Sequence, residues 1–312
     1  MRRFFLHRLT PSTLAHLLLL AVVALWGMTF TLVKDALQDA SPLLFNLFRM
    51  AFATVALLLI HRRHLHQIPR PAIVAGAVVG FFLAAGYQLQ TLGLAHTTAT
   101  KSAFITGLVV IFVPLLTIIP AARPASTPAP GPAVILGALL AFAGLVLLTT
   151  PAGTNPVEIV HSMSTGDILT LFCAVAFAGH LLALAHTSLR IPIPQLATLQ
   201  IAFATLAMAI TLPWGGRLYL TVTPRLVIAL AVTSLLATAA AFTIQSWAQQ
   251  HLPPTHTALL LTLEPVFAWL TSFLFLGERL GPRSLLGALL ILGAILLIEL
   301  LPSQSPLPDH PL

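Results

Sequence analysis

The sequence predicts an all-α integral membrane protein in which ten transmembrane helices form two inverted five-helix repeats. The first observation is composition. Of the 312 residues, 58% are hydrophobic and only 7% are charged, and no soluble domain could hide that much apolar surface. The second observation is a series of ten apolar windows, each long enough to cross a bilayer. The third is that segments of the first half recur in the second half.

The ten windows follow from the thickness of a bilayer. A hydrocarbon core of roughly 30 Å takes about 20 apolar residues per helix. Windows of that length cover residues 14–33, 42–60, 71–91, 100–120, 132–150, 167–186, 195–213, 225–247, 254–276 and 282–301. The connections between them are too short for a second soluble domain. We therefore expect two five-helix domains over residues 12–150 and 166–301, followed by a disordered tail over residues 302–312.

The two halves repeat one another at an almost constant offset. Residues 51–54 read Ala-Phe-Ala-Thr, as do residues 202–205, which lie 151 positions later. Residues 131–140 and 281–290 share Gly-Pro and Leu-Gly-Ala-Leu-Leu at an offset of 150. Because each half crosses the membrane an odd number of times, the two copies run in opposite directions. Such inverted repeats are typical of transporters that work by alternating access.

The net charge of +7 is interpreted as a membrane feature, and no nucleic acid partner is expected. Basic side chains at span ends set orientation and contact anionic lipid headgroups. Those that fall on one side of a ten-span topology are Arg2, Arg3, Arg8, Arg62, Arg63, Arg70 and Arg123. We expect that side, with both termini, to be cytoplasmic. Four other basic residues fall on the predicted outer side and weaken this charge bias. They are Arg217, Arg225, Arg279 and Arg283.

Several other chemistries are not expected. The basic N-terminus and its apolar run are interpreted as the first span rather than a cleaved signal. Cys173 lies alone inside a span, so no intrachain disulfide forms. His61, His64 and His66 have no Cys or carboxylate near them in sequence, and a metal site is not expected. The sequence carries no phosphate-binding or nucleophile motif. We therefore expect no cofactor and no ATP hydrolysis.

The two copies agree at some polar positions and differ at others. Gln90 lies over Gln245 at an offset of 155. Trp26-Gly27 in span one has Phe177-Ala178 as its counterpart, and Glu264-Pro265 in span nine has Val109-Val110. Polar groups at matching depths favour a shared cavity, and the differences indicate where substrate contacts lie.

These segments also carry a family resemblance. Residues 263–267 read Leu-Glu-Pro-Val-Phe and residues 276–280 read Leu-Gly-Glu-Arg-Leu, shortly before the last apolar helix. Together with Trp26-Gly27 and the run from Pro42 into an Ala-rich helix, they resemble the EamA-type branch of the drug/metabolite transporter superfamily over nearly the whole chain. The resemblance implies a ten-helix inner-membrane permease with two EamA repeats, which exports metabolites such as amino acids and their relatives.

Ionisable side chains within spans rarely face lipid. Glu264 is interpreted either as a proton-linked site or partner of a substrate amine, or as a helix-packing carboxylate. Pro265 cannot donate a backbone hydrogen bond and disturbs the carbonyl of Leu261. Arg49 either meets an anionic part of the substrate or is paired within the bundle. Lys101 either forms a cationic rim or snorkels to the interface.

Polar and aromatic side chains complete the set of candidates for the substrate pathway. Side chains three or four residues apart share a helical face and could line a cavity, while hydrogen bonds between helices are the alternative. These further candidates are Trp26, Gln88, Gln90, Thr91, Gln245, Gln249 and Trp269.

The sequence therefore predicts a secondary transporter, not an enzyme, whose partners are a small metabolite and the lipid bilayer. Spans one to four and six to nine are expected to line a central cavity, with spans five and ten at the periphery. Coupling to protons through Glu264 is a hypothesis. The alternatives are an importer, a lipid-modifying membrane enzyme and a non-transporting membrane scaffold.

Overall fold

The computed structural model describes residues 10–123, 131–150, 163–187, 190–214, 216–248, 251–252 and 260–300. Ten helices account for almost all of this part of the chain. They are α1 (Pro11–Ala36), α2 (Pro42–His61), α3 (Arg70–His96), α4 (Ala99–Leu116), α5 (Pro132–Thr149), α6 (Thr165–Thr187), α7 (Ile193–Thr211), α8 (Pro224–Ala248), α9 (Glu264–Leu276) and α10 (Pro282–Leu300). The predicted link between the halves and the tail lie outside the described residues.

By length and composition, α1 to α8 are long and apolar enough to cross a membrane, and α9 and α10 are shorter apolar helices. The all-α class and the ten-helix prediction are confirmed. The predicted start of the ninth span near residue 254 lies outside the described residues. Within them, residues 260–261 are helical, residues 262–263 form a turn, and α9 begins at Glu264. Pro265 occupies its first turn, where a missing backbone donor does no harm.

A break also interrupts α4 at the equivalent place in the first repeat. It divides the helix into Ala99–Gly107 and Val109–Leu116, with Leu108 between them. Val109 is the counterpart of Glu264 at the offset of 155. The first copy has no proline at the position of Pro265, so the break belongs to the repeat and does not require that proline.

The two halves interlock rather than standing side by side. In the first half, α1 packs against α8 and α9, α2 against α7 and α8, and α3 against α6 and α7. Two four-helix groups result, one of α1, α2, α8 and α9 and the other of α6, α7, α3 and α4. The repeat exchanges one group for the other, because each helix of the first has its counterpart in the second.

Equivalent residues meet where α2 and α7 cross. The hydroxyl oxygens of Thr54 and Thr205 lie 2.8 Å apart, and these threonines occupy the same place in the two copies of Ala-Phe-Ala-Thr. A residue can contact its own repeat counterpart only near the axis that relates the repeats. This contact therefore places the pseudo-twofold axis between α2 and α7.

One end of the helix array, named here the Asp39 end, joins helices by charge and hydrogen bonds. Arg225 donates from Nε and Nη2 to the Asp39 carboxylate at 2.7 and 2.8 Å. These bonds, with one from Thr223, hold the pKa of Asp39 below its ordinary value. Lys34 Nζ donates to the carbonyl of Leu94, where a cation complements the end of α3.

The same end proves that the repeats are inverted. Asp39 follows the C-terminus of α1, whereas Arg225 lies in the first turn of α8. Thr97, after the C-terminus of α3, donates to Asp167 in the first turn of α6 at 2.6 Å. The C-terminal ends of α1 and α3 therefore lie at the same end of the array as the N-terminal ends of α6 and α8. Since α6 is the counterpart of α1 and α8 that of α3, the two copies run in opposite directions.

At the periphery, α5 and α10 pack chiefly against each other. A side chain at Gly287 would place its Cβ 2.6 Å from the carbonyl oxygen of Gly144. The close contact therefore requires glycine at this point of α10. Small residues of this kind bring backbones together in membrane proteins, where dispersion replaces the hydrophobic effect.

Replacing Gly287 by Val is expected to destabilise the protein by about 1–3 kcal/mol, since the new side chain must push α10 away from α5. Gly293→Val is a matched control on the same helix, because a Cβ there meets nothing within 4 Å. Thermal unfolding in detergent measures the difference. Equal melting temperatures for the two variants would contradict the packing.

Candidate functional site

A central cavity of about 90 Å³ lies between the two four-helix groups. Its walls come from α1, α2, α3, α4, α6, α8 and α9, with Leu261 just before α9. As expected, α5 and α10 contribute no described lining residue. The prediction that the seventh span also lines the cavity is wrong, because no residue of α7 is among the lining residues. Helix α7 packs against α2 and α3, and its Gln200 contacts the lining residue His180.

Most of the lining consists of repeat-equivalent pairs. Fourteen of the seventeen lining residues in the described part of the chain form seven pairs, at an offset of 151 between α1 and α6 and of 155 elsewhere. The pairs are Trp26 with Phe177, Thr29 with His180, Phe30 with Leu181, Tyr87 with Phe242, Gln90 with Gln245, Thr106 with Leu261, and Val109 with Glu264. The cavity therefore lies on the pseudo-twofold axis.

The two motifs that are not repeated meet at this cavity. A Cβ on Gly27 would lie 2.7 Å from the carbonyl oxygen of Glu264 and 2.6 Å from the Cβ of Phe267. Gly27 thus allows α1 to lie directly against the first turn of α9. Trp26 and Glu264, which flank this contact, both line the cavity.

Arg49 is a buried cation with neutral partners. Its side chain is 2% exposed and donates from Nε to Thr238 Oγ1 at 2.9 Å and from Nη2 to the Tyr87 hydroxyl at 3.1 Å. The guanidinium carbon also lies 4.2 Å from the centre of the Tyr87 ring. Among the described residues no carboxylate lies within 4 Å of Arg49, since the two ion pairs found there both belong to Arg225.

A π-helical segment of α8, Val232–Ala240, holds this side of the site. Its wider turn lets Thr238 Oγ1 donate to the carbonyl of Thr233, five residues earlier, at 2.7 Å. The indole Nε1 of Trp26 donates to the carbonyl of Ala237 at 2.8 Å. Short π-helical turns often occur at functional sites. The corresponding part of α3 is an ordinary α-helix, so this feature distinguishes the two copies.

Two acceptor groups face the cavity without partners. The carboxylate of Glu264 has no hydrogen-bond or ion-pair partner among the described residues. Gln245 Oε1 is buried and also lacks a partner there. Buried acceptors are normally satisfied, so an unpaired carboxylate and amide oxygen indicate space for a ligand that donates hydrogen bonds.

His180 closes the opposite wall. Its Nε2 lies 2.9 Å from Gln200 Oε1, and its ring packs edge-on against Phe242 at 5.9 Å between centroids. Gln200 is the counterpart of Arg49 at the offset of 151. One copy therefore places a cation beside Tyr87, and the other places a neutral amide beside His180.

Of the ten site residues that the sequence predicted, some line the central cavity and others do not. Those that line the cavity are Trp26, Arg49, Gln90, Gln245 and Glu264. The other five lie elsewhere, or outside the described residues in the case of Gln249.

Gln88 donates from Nε2 to Thr211 Oγ1 at 2.8 Å, and Thr91 donates from its hydroxyl to Asn46 Oδ1 at 3.1 Å. These two residues join helices, which is the alternative that the sequence left open. Lys101 is half-buried away from the cavity. Trp269 packs in the apolar cluster shared by α4, α5 and α10.

With this geometry in place, the chain can be compared with known proteins. It matches the EamA-like transporter family over residues 13–150 and 164–300. The chain belongs to the EamA-like transporter family, within the drug/metabolite transporter superfamily. It is therefore a multi-pass membrane protein of a transporter family.

Relatives extend this picture of the EamA-like transporter. An uncharacterized transporter of Archaeoglobus fulgidus is 32% identical over 90% of this chain and 84% of that protein. An uncharacterized transporter of Bacillus subtilis, YwfM, is 27% identical over 93% and 95% of the two chains. The S-adenosylmethionine/S-adenosylhomocysteine transporter of Chlamydia muridarum is 36% identical over 88 residues, 27% of each chain.

A solved crystal structure of a protein superposes with a TM-score of 0.63 and covers 92% of this chain and 97% of that one. Its sequence identity is 19%, so the likeness concerns the fold alone.

Twelve of the described lining residues of this EamA-like transporter were not named as site candidates from the sequence, although the repeat offset could have found several. Among them are Thr29, Phe30, Thr106, Phe177 and Phe242. The offset maps Trp26 to Phe177. Tyr87, which directly precedes the candidate Gln88, maps to Phe242. Thr29 and Phe30 follow Trp26 within one turn of α1, where residues three and four apart share a face.

Replacing Trp26 by Phe removes the indole donor from the Ala237 carbonyl while keeping an aromatic ring. We expect a loss of about 1–2 kcal/mol of stability, the usual effect of deleting a buried hydrogen bond. Trp214→Phe is the control, because Trp214 is 77% exposed. Thermal unfolding in detergent should lower the melting temperature of the Trp26 variant only, and an unchanged value would contradict the role of this bond.

Proposed function

We propose that this EamA-like transporter is a secondary exporter of small metabolites that carry both a carboxylate and an amino group, such as amino acids and their relatives. In this proposal it resides in a bacterial inner membrane with both termini in the cytoplasm, and it performs no chemical conversion. The observation that carries the proposal is the axial cavity, into which Arg49 and Glu264 bring opposite charges without a described partner of opposite charge for either.

Each wall of the cavity suits one part of such a substrate. The Arg49 guanidinium, fixed by Thr238 and Tyr87, offers its remaining donors to a carboxylate, and such charge-assisted bonds are the strong ones. The free acceptors on Glu264 and Gln245 suit an ammonium group. Aromatic rings on several helices would cover the apolar part. They are those of Trp26, Phe30, Tyr87, Phe177 and Phe242.

The symmetry of the lining supports alternating access. If the two four-helix groups exchange conformations, the seven pairs exchange roles, and the same cavity opens to the opposite end of the helix array. Substrate bound on the axis would then keep its contacts with both groups while access changes. The differences within pairs, such as Val109 with Glu264, would set which solute is held.

One relative narrows the choice of solutes to test. S-adenosylmethionine is named for the Chlamydia muridarum protein that matches about a quarter of this chain. It carries a carboxylate, an amine and an aromatic base, whose chemistry matches the lining residues, and to admit a solute of this size the cavity must widen beyond its volume of about 90 Å³. Phenylalanine and methionine share the first two groups. A panel of these three radiolabelled solutes therefore tests the proposal directly.

The first test of function is counterflow of the panel into proteoliposomes. Arg49→Gln should weaken the substrate affinity measured by counterflow roughly 10- to 100-fold, because the substrate carboxylate loses its charged partner and such a bond is typically worth about 1.5–3 kcal/mol. Gln is the residue that the second copy places at this position. Lys101→Gln, outside the cavity, makes the same change of charge and should retain counterflow. Full activity of the Arg49 variant would refute carboxylate binding there.

The second test concerns energy coupling through Glu264. In proteoliposomes with an imposed pH gradient, Glu264→Gln should lose gradient-driven accumulation, because a neutral amide can neither take nor release a proton. Exchange of substrate without a gradient should persist with affinity lowered by roughly 10- to 100-fold, because the substrate ammonium loses a charged partner and such a bond is worth about 1.5–3 kcal/mol. Unchanged gradient-driven flux in the Glu264 variant would refute the role of Glu264 in proton coupling. The direction in which the gradient drives the solute separates an exporter from an importer.

A further inference from the structure

A second cavity, named here the α3–α6 groove, lies apart from the central one. Its volume is about 880 Å³ and its walls come from α3, α6 and the end of α4. Val74, Val78 and Leu182 are among the apolar side chains that line it, and no lining residue is shared with the central cavity. Arg70 and His186 line one end of the groove.

The inverted repeat relates this end of the groove to the Asp39 end of the helix array. There, Arg225 in the first turn of α8 bonds the carboxylates of Asp39 and Asp35. In the other copy the first residue of α3 is Arg70. The offset of 151 maps Asp35 to His186 and Asp39 to Arg190. Arg225 therefore has two carboxylates at positions where its counterpart Arg70 has two further basic residues, His186 and Arg190.

No described carboxylate compensates this charge. The carboxylates whose side chains the structure describes are Asp35, Asp39, Asp167, Glu264 and Glu278. Four of them take part in the contacts of the Asp39 end, and Glu264 lines the central cavity. Arg70 has no ion pair among the described residues. The same end of the helix array adds Arg62 and Arg63, both exposed.

We propose that the α3–α6 groove binds an anionic phospholipid, with its phosphate on Arg70 and His186 and an acyl chain along the apolar wall. An arginine fork matches phosphate oxygens in pairs, and basic pockets between membrane helices are suited to anionic headgroups. A free phosphate would leave the long apolar wall uncovered, whereas a lipid covers both parts. Val74 is 62% exposed and Val78 is 46% exposed, so the wall is open to a chain from the bilayer.

The contact between α3 and α6 gives the bound lipid a structural consequence. A Cβ on Gly179 would lie 2.7 Å from the ring of Phe82, and both residues line the groove. Gly179 is adjacent to His180 of the central cavity. A lipid in the groove therefore lies against the back of the helix segment that carries a wall of the transport site.

The test uses the full chain, purified in detergent and supplied with phosphatidylglycerol or phosphatidylcholine of identical acyl chains. Native mass spectrometry and melting curves should show retention of phosphatidylglycerol and stabilisation by it over phosphatidylcholine. The double variant Arg70→Gln, His186→Gln should lose about fivefold or more of this preference, the effect expected for one cationic group at a membrane surface. Melting without added lipid establishes that the variant folds.

Two controls make the result specific. Arg63→Gln removes a charge at the same end without altering the groove lining, and it should keep the preference. Val78→Trp fills the groove while leaving both basic residues, and it should lower binding of both lipids. Equal retention of the two lipids by the unsubstituted protein, or an unchanged preference in the double variant, would overturn the proposal. So would loss of bound phosphatidylglycerol to millimolar inorganic phosphate, which would indicate a free-anion site.

Discussion

The requirement that polar groups at membrane depth find partners inside the protein governs the rest of the structure, because hydrocarbon offers none. At the helix ends the partners come from neighbouring helices. Lys34 bonds the Leu94 carbonyl in the last turn of α3, and Glu278 accepts from the amides of Ala99 and Thr100. Polar side chains within the spans find their partners by pointing toward other helices rather than toward lipid. Since each half packs chiefly on the other, these side chains converge near the pseudo-twofold axis, and the central cavity forms there.

A symmetric scaffold with unequal side chains suits a transporter. The seven lining pairs occupy matching places in the two copies, yet their side chains differ. The counterpart of Glu264 is Val109, that of His180 is Thr29, and that of Arg49, outside these pairs, is Gln200. The helix ends are unequal too. Two of the four second-half arginines that weaken the positive-inside pattern have structural partners, since Arg225 bonds Asp39 and Arg283 bonds the carbonyl of Thr150. Their charge serves the packing of helix ends and carries less information about orientation.

Five of the ten residues that the sequence proposed for the site line the central cavity, and helical geometry explains why others do not. Successive side chains turn by about 100° around a helix, so Gln88 and Thr91 point away from the face that Gln90 presents. Their polarity grouped Gln88, Gln90 and Thr91 together, but polarity does not tell which face of α3 is turned toward the pseudo-twofold axis. Phe30, Phe177 and Phe242 were missed for the opposite reason, because an apolar ring in an apolar span has no distinguishing composition. The repeat offset carried the missing information, since lining residues occur in equivalent pairs.

The sequence by itself determined the membrane class, the ten helices, the inverted repeat and the family, because hydropathy and a fixed offset are properties of the chain order alone. It also determined that Trp26-Gly27 and Glu264-Pro265 differ between the copies. Only the tertiary structure decided that these two motifs touch, through the space that Gly27 leaves for the Glu264 carbonyl. It also decided that α4 breaks at the same place as α9 and that α8 widens into a π-helical segment. These features depend on contacts between residues more than 200 positions apart or on backbone packing that local composition does not record.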